Sequence, residues 1–113
     1  MLAARIPEDE PLSLSVGLDV RAWLEQGLVD LLAVGRWQEF TIPVSAISAL
    51  AHQHHVPVYP LVNSFFKGKD YRFPSDANMF SDPSVWRGDA MNLFAEGADG
   101  IYMFNVFDPT LSL

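Results

Sequence analysis

Glu39 and Asp108 each follow an apolar run by a few residues, and they stand far apart in the chain. Two carboxylates about 5–10 Å apart, on opposite sides of the scissile bond, are what glycoside hydrolysis requires. Arg36 and Trp37 flank the first of them, and Asn105 precedes the second. Between them, "NSFFKGKDYRFPSDANMFSD" (63–82) holds Asn63, Phe65, Phe66, Tyr71 and Phe73. Aromatic rings among polar groups suit sugars, whose apolar faces stack while their hydroxyls hydrogen-bond. Glu39 and Asp108 are therefore the candidate catalytic residues. Arg36, Trp37, Asn63, Phe65, Tyr71 and Asn105 are the candidate substrate-binding residues.

Each of these residues also has a plainer use. Asp108 before Pro109, like Asp19, suits a helix cap. Asp70 and Asp76 suit solvated loop charges. The rings of 63–82 can pack the loop onto its scaffold, and Asn63 and Asn105 can cap the loops they open. Asp30 and Asp99 precede apolar runs and read as structural. "HQHH" (52–55) falls at a helix C-terminus, where imidazolium suits the negative end of the dipole, so no metal set is assigned. Without cysteine there is no thiolate site either. "RGD" (87–89) lies inside a predicted helix. After 101–104 comes "NVFDP", which lacks the glycine-rich turn of a phosphate site, so no cofactor is expected.

The elements that must position these residues repeat one grammar. "EQGLVDLLAV" (25–34) and "AEGADGIYMF" (95–104) each run from a helical pattern through a Gly and an Asp into an apolar run. A Gly just past a helix end closes it in the left-handed conformation. The apolar run then reads as a strand buried on both faces of a parallel sheet. "PVSAISALAHQHH" (43–55), with Val44, Ile47, Leu50 and Ala51 at helical spacing, leads into "VPVYPLV" (56–62) as a third copy. There Pro57 and Pro60 must occupy the strand start or a bulge. A strand at 2–6, ended by Pro7 and the acidic Glu8-Asp9-Glu10, precedes a loop and a short helix capped by Asp19, with Val20, Trp23 and Leu24 on one face.

The predicted order is β (2–6), α (20–26), β (28–34), α (43–54), β (56–62), α (83–96), β (100–105). Strict alternation implies parallel strands joined by right-handed crossovers, spaced by roughly 28, 28 and 43 residues. Four such units are half of a (β/α)8 TIM barrel, which takes about 250 residues and places its chemistry in the loops after the strands. The ending "NVFDP" reads as such a loop running into a helix start. The expectation is thus an α/β chain of alternating parallel β/α units, a truncated half barrel.

Composition bounds the alternatives. A chain of 113 residues makes one domain. With 50% apolar and 19% charged residues it is globular rather than disordered. The net charge is −7 and no stretch concentrates Lys or Arg, so neither nucleic acid nor an anionic membrane surface is an expected partner. No apolar run reaches the roughly 20 residues of a membrane span. Met1 to Arg5 is too short for a signal peptide, so the chain reads as soluble, with its compartment open.

"GLDVRAWLEQGLVDLLAVG" (17–35) resembles the glycosyl-hydrolase-like family 10 proteins, as do "WRGDAMNLFAEGADGIYMFN" (86–105) and "LAARIP" (2–7). The resemblance covers the C-terminal half of a family barrel, and its strongest residues, Trp23, Gly27, Asp30, Gly97, Asp99 and Gly100, are architectural. It implies a (β/α)8 fold and carbohydrate-related hydrolysis, without assigning a catalytic residue. The expected partners are a carbohydrate ligand and, because a half barrel exposes sheet edges, either a second copy or a complementary half-barrel.

Overall fold

The structure is a computed structural model and describes residues 1–36, 42–62 and 83–103. Its elements run β1 (Ala3–Ile6), α1 (Glu10–Ser15), α2 (Val20–Glu25), β2 (Leu31–Val34), α3 (Ser45–His52), β3 (Val58–Val62), α4 (Pro83–Ala95) and β4 (Tyr102–Met103). The strands form one parallel sheet in the order β1-β2-β3-β4, an α/β arrangement. Each crossover advances one place in the same direction. Right-handed connections of that kind lay the helices on a single face of the sheet.

Burial follows this arrangement. Ile6, Leu32, Val34, Val58 and Val62 point from the strands into a core shared with Val20 and Leu24 of α2. Ile47, Leu50 and Ala51 of α3 and Trp86 and Leu93 of α4 complete it. Each large side chain of this kind contributes about 2 kcal/mol through burial. The predicted faces of α2 and α3 are the ones buried. Strand alternation sends Leu31, Ala33, Tyr59, Leu61 and Tyr102 to the opposite face of the sheet.

The repeated grammar has a repeated geometry. After α2 and α4, Leu28 N–H donates to Trp23 C=O (2.9 Å) and Ala98 N–H to Leu93 C=O (3.1 Å). Gly27 and Gly97 take the positive φ that this closure needs. After α3, Val56 N–H makes the same bond to Ala51 C=O (3.1 Å), but the residue at positive φ is His55 (φ 59°). Asp30 and Asp99 also act alike. Asp30 N–H donates to Leu2 C=O while its carboxylate accepts from Leu2 N–H. Asp99 clasps Val58 in the same reciprocal way.

Several expectations are corrected. Residues 7–19 are not simply a loop, because α1 lies within them. Asp9 caps it, accepting from Leu12 N–H (2.6 Å), and Pro11 falls in the first turn, where no N–H is needed. Pro60 sits inside β3, opposite Val34, rather than at a start or a bulge. Its nitrogen points to the same side as that of Val58, toward β4, whose pairing begins only at Leu61. β2 starts at Leu31, since Leu28 and Val29 belong to the turn that closes α2. Asp19 caps α2 as expected, accepting from Ala22 N–H (3.1 Å). The start of α3 has no side-chain cap of its own; the Glu96 carboxylate at the end of α4 accepts from Val44 and Ser45 N–H instead (2.5 and 3.2 Å).

Candidate functional site

Ligand sites in parallel α/β sheets form beyond the carboxyl ends of the strands. At that edge, β1 leads into Glu8 and β2 into Arg36. The register pairs Ile6 with Val34, so residues two places further on are neighbours. The Arg36 Nε–H lies 2.9 Å from both Glu8 oxygens, and a terminal Nη–H donates to Oε1 as well. The Glu8 side chain is 6% exposed and that of Arg36 49%. The carboxylate is thus buried behind a half-exposed arginine side chain.

Gly35 makes this turn possible. Its N–H donates to Ile6 C=O (2.9 Å), extending the β1–β2 ladder by one bond. It then takes φ 137°, with so little room that a Cβ would stand 2.8 Å from Leu61 Cβ. A larger residue there would force Leu61, Ile42 or the turn itself to shift.

The neighbouring acids have their own partners. Asp9 caps α1, and Glu10 makes a two-point bond to Arg21 (2.8 Å each), which ties α1 to α2. None of the three consecutive carboxylates stands idle. Glu8 in particular accepts from Arg36 and thereby positions it.

The chain matches no family model and no curated protein sequence.

Of the residues marked out for chemistry, Arg36 lies among the described residues, just past β2 at the carboxyl edge, with Glu8 behind it. Glu39, Asp108, Trp37, Asn63, Phe65, Tyr71 and Asn105 lie outside the described residues, as do Asp70 and Asp76. Glu8 was missed because it lies in an acidic run that reads as a strand terminator. Its position two residues past β1, opposite a basic residue two past β2, was the available signal.

The opposite edge carries a different arrangement. His52 Nε2 lies 2.7 Å from Asp99 Oδ2, and a shallow cavity of about 400 Å³ is lined by His52, His55, Val56, Pro57 and Asp99. Partial burial pushes the Asp99 carboxyl up, but the bonds from His52 and Val58 N–H outweigh it and hold the group below the ordinary carboxylate range. These residues close α3 and tie β3 to β4, at the amino edge of the sheet. Among the described residues, no group of three or more His, Asp or Glu side chains could hold a metal ion. Asp89 of "RGD" is buried within α4. No helix among the described residues is long and apolar enough to cross a membrane.

Proposed function

We propose that this chain is a glycoside-hydrolase-like half of a (β/α)8 barrel that binds carbohydrate at the carboxyl edge of its sheet. The observation that carries the reading is the Glu8–Arg36 pair, a buried carboxylate holding a half-exposed guanidinium at the mouth of two adjacent parallel strands. Sequential strand order with helices on one face is what a barrel segment requires. The resemblance of 17–35 and 86–105 to the glycosyl-hydrolase-like family 10 proteins supports the same substrate class. In this reading Arg36 orients sugar hydroxyls, the rings of 63–82 stack on the sugar, and Glu39 and Asp108 supply the acid and base. Exposed apolar side chains near the two outer strands, Leu2 and Leu28 on one side and Met91 and Phe94 on the other, favour a second copy or a complementary half-barrel as partner.

Hydrolysis of a panel of aryl glycosides tests it. Glu39→Gln and Asp108→Asn should each abolish turnover while leaving sugar affinity intact, and turnover unaffected by both substitutions would reject the assignment. A second reading, a carbohydrate-binding half-barrel without catalysis, is favoured by one fact. The carboxylate placed at the edge, Glu8, is engaged by Arg36, and among the described residues it faces no other acid within hydrogen-bonding distance. Under that reading binding is present and turnover is absent in the unsubstituted chain.

A further inference from the structure

We infer that the chain binds a second copy of itself by laying an exposed stripe of α4 into the apolar groove beside β1. This is independent of the carbohydrate reading, and of the two partners named with that reading it commits to the second copy.

The groove follows from the repeated architecture. Leu2, Ala4, Trp23, Leu28 and Val29, all apolar, line a cavity of about 250 Å³. Leu28 and Val56 hold equivalent places, since each donates the bond that closes the helix before it. Val56, with strands on both sides of its unit, is 6% exposed, whereas Leu28, beside the outermost strand, is 51% exposed. The position is covered inside the sheet and bare at its β1 edge.

The matching element is α4. Trp86 and Leu93 mark the face it buries. Arg87, Met91 and Phe94, at i, i+4 and i+7, share a different face, on which Met91 is 71% and Phe94 50% exposed. A helix with a second apolar stripe is what an apolar groove accepts. Charge agrees with shape. Glu25 lies one turn before Leu28 and Arg87 one turn before Met91; both are exposed, and neither makes an ion pair among the described residues. An acid thus flanks the groove and a base flanks the stripe, so two surfaces of one sequence complement each other. Within one chain they cannot meet, because α4 joins β3 to β4 at the edge of the sheet opposite β1. The contact is therefore between copies, and two such contacts about a two-fold axis close a dimer.

Sedimentation velocity on the full chain, from about 1 to about 100 µM, tests this. The unsubstituted chain should associate within that range. Glu25→Lys and Arg87→Glu should each weaken association about tenfold, by setting like charges together, and the double substitution should restore it. Met91→Asp should weaken it about tenfold or more. A monomer throughout the range overturns the inference. So does association that survives both single reversals, or a double reversal that restores nothing. Circular dichroism establishes that each variant is folded, and if a charge variant is not, Met91→Asp decides: undiminished association in that protein overturns the inference.

Discussion

Glu8 and Arg36 are 28 residues apart in the chain, the offset that also pairs Ala3 with Leu31 and Ile6 with Val34. The ladder that builds the sheet thereby delivers a carboxylate to a guanidinium at its carboxyl edge. The same offset joins Leu2 to Asp30 at the amino edge. One register seals the β1–β2 pair at both ends.

Arg36→Ala should lower stability by about 2 kcal/mol, because the Glu8 carboxylate then loses its charged donors while remaining largely screened from water. Glu8→Gln keeps an acceptor in place and should lose about 1 kcal/mol. The double substitution should lose less than the two single effects added together, since both act on one interaction. Urea unfolding of the four proteins measures this coupling, and strict additivity would contradict the pairing.

Gly35→Ala should be among the most damaging small changes in the chain, costing about 3 kcal/mol. The added methyl meets Leu61 Cβ at 2.8 Å and Ile42 Cδ1 at 3.0 Å, on a backbone with φ 137°. Combining it with Leu61→Ala removes one clash and leaves the backbone strain. Recovery should therefore be partial, which thermal unfolding of both variants can establish; full recovery would show that φ contributes nothing.

His55→Gly should stabilise the protein by about 1 kcal/mol. His55 occupies, at φ 59°, the helix-closing position that Gly27 and Gly97 fill after α2 and α4. An unchanged or lower urea midpoint would mean that the imidazole makes contacts worth more than the strain it imposes.

The Asp99 carboxyl is lowered despite its partial burial, through His52 and Val58 N–H. A group that gives up its proton more readily in the folded state stabilises the fold above its unfolded value of about 4, and that contribution disappears as pH falls through the folded value. The melting temperature of the unsubstituted chain should therefore drop more steeply than that of Asp99→Asn between about pH 5 and about pH 2. A constant difference between the two across that range would exclude this role.

Much of the scaffold could be read from residue patterns because helix closure and strand burial leave local marks. Gly27 and Gly97 announced two helix ends, and the spacing of Val44, Ile47, Leu50 and Ala51 announced the buried face of α3. α1 was hidden because its marks coincide with those of a strand end. Glu8, Asp9 and Glu10 look like one solvated run, yet they divide into an edge carboxylate, a helix cap and a partner for Arg21. The Glu8–Arg36 pair escaped for a different reason: it depends on register, a property of two strands that neither states alone. Arg36 itself was legible, since a basic residue directly after an apolar strand falls at the carboxyl edge.

The aspartate clasps divide the sheet unevenly. Asp30 binds β1 to β2 and Asp99 binds β3 to β4, whereas the start of the β2–β3 pairing is tied by a main-chain bond from Leu32 N–H to Pro57 C=O, in the turn "HVPV" (55–58) that contains no aspartate. The four strands are thus two hooked doublets meeting at a plain join. Among the described residues, that join is where a recombination event, or an engineer dividing the chain into two associating pieces, would separate no aspartate clasp.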